Sequence, residues 1–310
     1  MKLALSYPEW QGCGENPAVY FGALKVIERI FNDEDFVHVD VPIEETLEVT
    51  KGVFGLNSIA PRFQRTIHDL RQRNPSTILM VGGTCGAEIA PVGYLNEKYD
   101  GDLAVVWLDA HGDLNTPESS TSGHFHGMAL RTLLGEGPEE YTSFLGRQLT
   151  PQQVFLAGTR ELDLPEQAFI EKSAISVTLS EDFATPRVLT DRISAAGFKN
   201  GYVHLDLDVF NPNSFSNSLM PTRGGPSVAE VQLLIQALAK SLNVVGFSVV
   251  EYCEHRKDDS IKTLKELIDN CGVEHDVASS FEERVSRRRV SATLKSCGVQ
   301  DSRHRHGGFN

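Results

Sequence analysis

Asp109-Ala110-His111-Gly112-Asp113 places three metal-capable side chains at alternate positions. It follows the apolar run Val105-Val106-Trp107-Leu108, which has strand character. In extended backbone alternate residues point the same way, so two carboxylates and an imidazole can converge on one point. Such a donor set at the C-terminal end of a strand suits a divalent metal. A polar loop with a capping aspartate is the competing reading, because Asp and Asn are common after strands. The stretch Tyr202-Val203-His204-Leu205-Asp206-Leu207-Asp208-Val209 weighs against it. It too reads as a strand, with carboxylates two residues apart. Two acidic pairs on separate buried strands repel strongly unless a cation lies between them. Asp109, His111, Asp113, Asp206 and Asp208 are therefore candidate metal ligands.

These residues need a frame that brings separate strand ends together. Strand patterns cover Leu3–Tyr7, Phe36–Val41, Thr77–Val81, Leu103–Leu108, Gln153–Ala157, Ile175–Leu179, Gly201–Asp208 and Val244–Glu251. Helical patterns cover Pro17–Phe31, Ile59–Arg73, Cys85–Lys98, His126–Leu134, Pro165–Lys172, Pro186–Ala196, Ser227–Leu242 and Ser260–Asn270. This alternation predicts a single α/β domain, a mostly parallel eight-stranded sheet with helices on both faces. In such sheets ligands bind beyond the carboxyl ends of the strands. Glu251, Gly82-Gly83-Thr84-Cys85-Gly86 and Gly158-Thr159-Arg160-Glu161-Leu162-Asp163 also fall at strand ends, so one rim is expected to carry the site. The domain is expected over residues 1–272, with a polar, solvated tail over 273–310.

The chain has 310 residues and a net charge of −13, which argues against nucleic acid and anionic membranes as partners. No apolar run approaches the roughly 20 residues that span a bilayer. The opening Met1-Lys2-Leu3-Ala4-Leu5-Ser6-Tyr7-Pro8 turns polar too early for a signal peptide. Five scattered cysteines without Cys-x-x-Cys spacing indicate neither a disulfide framework nor a zinc finger. A cytoplasmic protein with a small-molecule partner is the expectation.

Taken together, these blocks resemble the ureohydrolase family of arginases, agmatinases and formimidoylglutamases, over residues 1 to about 272. Asp109-Ala110-His111-Gly112-Asp113, Asp206-Leu207-Asp208 and Val249-Val250-Glu251 are similar to three of its motifs. Asn115-Thr116-Pro117 and Ser120-Thr121-Ser122-Gly123-His124-Phe125-His126-Gly127 resemble the arginase loop that holds the amino-acid end of arginine. Arg160-Glu161-Leu162-Asp163-Leu164-Pro165-Glu166 is similar to a second arginase segment, which contacts the α-amino group. The resemblance implies two divalent ions, manganese by the oxygen-rich donors, bridged by Asp109 and Asp206. Asp113 and Cys85 would complete one site, His111 and Asp208 the other. Glu251 would orient the guanidinium and His126 would shuttle protons to the leaving amine. Asn115, Ser122, His124, Asp163 and Glu166 would line the substrate's amino-acid end, although helix capping competes for Asp163 and Glu166. The implied reaction is L-arginine and water to L-ornithine and urea, in a homo-oligomer, trimeric or hexameric. Agmatine or formiminoglutamate is the alternative substrate, and a metal-impaired structural or regulatory subunit the alternative role.

The chain departs from the family pattern at several positions. Cys85 and Thr84 stand where Gly-Gly-Asp-His carries its histidine and aspartate. A thiolate suits zinc, iron or nickel better than manganese, so the Cys85 site is expected to hold manganese weakly or take a softer ion. His124 replaces an asparagine, Asn211 an aspartate, and Glu251-Tyr252-Cys253 lacks the usual Asn-Pro.

Overall fold

Strands and helices alternate through the described residues, 1–43 and 46–273, of the computed structural model. The strands are β1 (Lys2–Tyr7), β2 (Phe36–His38), β3 (Val49–Thr50), β4 (Val53–Phe54), β5 (Thr77–Gly82), β6 (Ala104–Leu108), β7 (Val154–Ala157), β8 (Ser176–Thr178), β9 (Asn200–Asp206) and β10 (Asn243–Val250). The helices are α1 (Ala18–Ile30), α2 (Leu56–Arg73), α3 (Ile89–Lys98), α4 (Ala129–Leu133), α5 (Glu139–Thr142), α6 (Leu164–Lys172), α7 (Arg187–Ala196), α8 (Val228–Ser241) and α9 (Ser260–Asp269).

Eight strands form one sheet in the order β2-β1-β5-β10-β9-β6-β7-β8, and every pairing in it is parallel. Alternation along each strand assigns residues to two cores. From β6, Val105 and Trp107 join Phe63, Ile67, Val92 and Leu95 of α2 and α3 on one face. Ala104, Val106 and Leu108 join Val26, Ile27, Leu234, Leu238 and Leu264 of α1, α8 and α9 on the other. The central strands are thus buried on both sides, which is why they read as unbroken apolar runs.

Several boundaries differ from the sequence expectation. The helix expected from Cys85 begins as a 3-10 turn, Cys85–Glu88, and becomes α-helical only at Ile89. The helix expected from His126 likewise opens as a 3-10 turn, Phe125–Met128. The strand expected to run through Asp208 ends at Asp206, and Asp208 sits in the turn Leu207–Val209. The hairpin β3–β4 was not anticipated, because two-residue strands are too short to show a period. Beyond Val273 the polar tail lies outside the described residues.

Candidate metal centre

The carboxyl ends of β5, β6, β9 and β10 meet at the middle of the sheet, and the candidate ligands stand there. Residues 109–113 lie beyond β6, so strand alternation does not converge them as expected. Backbone hydrogen bonds do so instead. Asp109 Oδ1 accepts from the His111 amide at 2.6 Å, and Asp208 Oδ1 accepts from the Ala110 amide at 3.0 Å. Asp206 Oδ1 caps the following turn through the Asp208 amide at 2.8 Å. Arg160, unassigned from sequence, pins that turn from behind, donating to the carbonyls of Asp208 and Val209 at 2.9 and 3.2 Å.

Two donor sets result. Cys85, Asp109, His204 and Asp206 each offer a ligand atom within 4.8 Å of the others, and Asp109, His111 and Asp208 do the same. Asp109 belongs to both and is fully buried. Cys85 Sγ lies 3.2 Å from Asp206 Oδ2, and His111 Nδ1 lies 2.8 Å from Asp208 Oδ2. Asp113 falls outside both sets, yet it lines the same pocket and its buried Oδ2 has no hydrogen-bond partner. Carboxylate, imidazole and thiol donors packed this closely, with orphaned buried oxygens among them, fit divalent transition ions.

The end of β5 reaches the site by close backbone approach. A Cβ on Gly83 would lie 1.9 Å from the Glu9 carbonyl oxygen, so glycine is required there. Buried Glu9 accepts from the Thr84 hydroxyl and, at 2.6 Å, from the Gly12 amide. A carboxylate from another segment thereby holds the residue beside Cys85.

Burial and neighbouring carboxylates push Cys85, Asp113 and Asp206 well above their ordinary pKa ranges. Burial, then Asp109, pushes Asp208 up to about 6. Burial opposes charge on His111 too, but hydrogen bonds with Asp109 and Asp208 outweigh it and hold the imidazole up at about 12. An ion entering this set must therefore displace a proton. A carboxyl whose pKa rises on folding weighs against the fold at every pH above its unfolded value, near 4. Without a cation Asp113, Asp206 and Asp208 do so at neutral pH, and a bound ion relieves it. A divalent ion at 100 times its Kd should add about 2.7 kcal/mol, roughly 4 °C in Tm for a chain of 310 residues. At a fixed ion concentration the gain should be larger at pH 8 than at pH 5, where protons compete. Equal melting curves with and without manganese or zinc at pH 8 would contradict this.

Beside the ions' place stands Glu251, just past β10, with φ 63 in the left-handed region. Its amide donates to the Gly83 carbonyl at 2.7 Å and its carbonyl accepts from the Leu219 amide at 2.9 Å, which together hold the strained residue. Its Oε1 lies 3.3 Å from both the Cys85 amide nitrogen and His126 Nδ1, while Oε2 is buried without a hydrogen-bond partner. Burial disfavours charge on His126, but Glu251 outweighs it and raises its pKa. These residues line a cavity of about 310 Å³, whose rim carries Asn115, Ser122, His124, Asp163 and Glu166. Asn115 donates to Asp163 at 2.9 Å. Both Glu166 oxygens are engaged, by the Leu114 and Asp163 amides at 2.9 and 2.8 Å, and Asp163 with Glu166 closes a capping box on α6.

The family model described as Arginase family matches residues 11–265. The chain belongs to the arginase family. It is a metal-dependent hydrolase of C–N bonds in guanidino compounds. Arginase from Staphylococcus aureus (strain MRSA252) is 30% identical over 237 residues, covering 74% of this chain and 78% of its own. The structure of Entamoeba histolytica arginase in complex with L-ornithine superposes with a TM-score of 0.77 at 20% identity, over 87% of this chain and 97% of that one. Proclavaminate amidino hydrolase from Streptomyces clavuligerus gives 0.67 at 21% identity, over 88% and 90%. At such identities these two structures speak for the arginase fold alone.

Within this arginase-family site His204 and Glu88 are unexpected. The sequence signal was present, since His204 lies two residues before Asp206 on β9 and so on the same face. Its ring stacks on Trp107 at 3.6 Å between centroids. Glu88 sits one turn past Cys85, in the 3-10 segment where an unbroken α-helix was expected.

Proposed function

We propose that the chain hydrolyses a guanidino amino acid of the L-arginine type to urea and an amine, L-ornithine from L-arginine. The observation that carries the reading is the unpartnered buried oxygen of Glu251 beside paired metal-donor sets. A guanidinium offers two parallel N–H donors, and a carboxylate with a free oxygen matches them by charge-assisted hydrogen bonds. Two divalent ions, at least the one among Asp109, His111 and Asp208 being manganese, would supply a water of lowered pKa as nucleophile. Asp113, with its free Oδ2, is the further ligand or proton acceptor. His126, whose protonated form Glu251 favours, gives its proton to the leaving amine. Asn115, Ser122 and His124 offer donors to an α-carboxylate, and Asp163, braced by Glu166, faces the α-amino group. On family analogy we extend the reading to a cytoplasmic homo-oligomer, trimeric or hexameric, whose α/β domain spans 1–272 and whose tail spans 273–310. Light scattering on a sizing column reads the oligomer, and a monomer would remove that part.

A second reading has its own support. Among the described residues lining the cavity there is no Lys or Arg, while Glu161 and Asp163 are acidic. A cationic substrate without a carboxylate, such as agmatine, suits that rim. The test is a panel of manganese-loaded assays on L-arginine, agmatine and formiminoglutamate, with urea measured for the first two and formamide for the third. The arginine-type reading expects kcat/KM for L-arginine at least about tenfold above agmatine, the worth of one hydrogen-bonded group. The reverse order would replace it with the agmatine reading. No product from any of them, with no ion retained, would point to the structural or regulatory role.

A further inference from the structure

Beneath the pocket a chain of buried groups runs from Tyr202 to the shared aspartate. The Tyr202 hydroxyl donates to Glu88 Oε2 at 2.5 Å. Glu88 Oε1 lies 3.2 Å from His204 Nδ1, and His204 Nε2 lies 3.6 Å from Asp109 Oδ2. His204 and Glu88 are both fully buried. Neither ring nitrogen of His204 makes a geometrically sound hydrogen bond. Metal-ligating histidines commonly set one ring nitrogen against a carboxylate, which fixes the tautomer and turns the other lone pair toward the ion. Glu88 Oε1 is the carboxylate oxygen nearest Nδ1, at 3.2 Å and placed for that role once an ion orients the ring, and Nε2 faces Asp109.

We propose that His204 is a metal ligand, and that Cys85, Asp109, Asp206 and His204 form a mixed thiolate, carboxylate and imidazole site for a borderline-soft ion, zinc foremost. The geometry agrees with this. Ligand atoms around a tetrahedral zinc ion lie about 3.3–3.8 Å apart. The His204–Asp109 separation of 3.6 Å falls in that range, and the Cys85–Asp206 separation of 3.2 Å lies just below it. The chain thereby regains on β9 an imidazole that position 85 lacks. The pair of ions becomes unequal, with a softer ion by Cys85 and a hard one among Asp109, His111 and Asp208. The competing account makes His204 a permanent cation balancing Glu88 and Asp109, with no bond to metal. The inference deepens the two-ion reading and rests on it, but its tests do not use turnover, so its failure would leave guanidino hydrolysis standing.

The test starts from the native chain, loaded with manganese and then given about one equivalent of zinc. X-ray absorption at the zinc edge should show one sulfur and at least one imidazole in the shell. The sulfur marks the Cys85 site, and His111 is then occupied by manganese. Glu88→Gln should weaken zinc binding by about 10–100-fold, the usual cost of losing the partner of a ligating histidine. His204→Gln should weaken it further and remove the imidazole shell. Asp208→Asn should change manganese and leave zinc in place, which controls for general damage to the fold. Three results would overturn the proposal. One is a zinc shell with sulfur but no imidazole. Another is unchanged zinc affinity in folded His204→Gln. The third is a native chain that keeps manganese in both sites against equimolar zinc. The absorption measurement needs no variant, so it decides even if His204→Gln fails to fold.

Discussion

Replacing Glu251 with glutamine should lower kcat/KM for the guanidino substrate by about 10²–10⁴-fold, while both ions remain bound. Removing one partner of a buried charged pair costs about 3–5 kcal/mol, and each 1.36 kcal/mol is tenfold in rate. The substitution keeps the size of the side chain, and its amide oxygen can still accept from the Cys85 amide, as Oε1 does now at 3.3 Å. What it adds is an NH₂ group where the free Oε2 now stands, turned against the substrate's own N–H donors. Glu251 lies outside both donor sets, so metal content should hold. A second readout separates this role from mere structural support. Glu251 raises the pKa of His126, and the glutamine variant removes that support. The rate depends on protonated His126, so the limb on which activity falls with rising pH should move to lower pH. Near-normal turnover, or an unmoved limb, would take Glu251 out of the reaction.

Asp109→Asn should deplete both ions at once and abolish activity at limiting metal. Asp109 is the residue shared by the two sets, so one neutral amide weakens both sites. The loss in affinity should exceed about 100-fold for each ion, the upper end of what losing only a ligand's partner costs. The amide also has an internal conflict. Asp109 Oδ1 and Oδ2 accept from the His111 amide at 2.6 Å and from Trp107 Nε1 at 3.1 Å, so an NH₂ must face one of those donors. Circular dichroism must therefore accompany the metal analysis. Asp208→Asn is the comparison, since Asp208 is in one set only and should cost one ion. Wild-type metal content in folded Asp109→Asn would break the assignment.

Much of this site is written in local sequence. Asp109, His111, Asp206, Asp208 and Glu251 each follow an apolar run that is buried on both faces, and such runs can be read without knowing their neighbours. That alternation also carried the α/β class, because a parallel strand needs a crossover, and the helical period between strands supplies it. The Arginase family match spans residues 11–265, which contain those blocks.

Tertiary structure decided which residues meet, and by what means. Strand periodicity predicted that alternate side chains would converge, but both aspartate motifs lie at or beyond strand ends. Backbone N–H groups aim them there: two bonds are local, from His111 to Asp109 and from Asp208 to Asp206, and the third, from Ala110 to Asp208, exists because β6 and β9 are neighbours in register. Short 3-10 turns at Cys85 and Phe125 were hidden because a four-residue segment leading into a helix is too short to show a period of its own. His204 was visible as a letter but not as part of the site. Its meaning depends on Glu88, which is 116 positions away in sequence and reaches it only because the turn after β5 packs across β9. A buried histidine is a core residue or a ligand according to what faces its two nitrogens, and only the folded chain brings those groups to it.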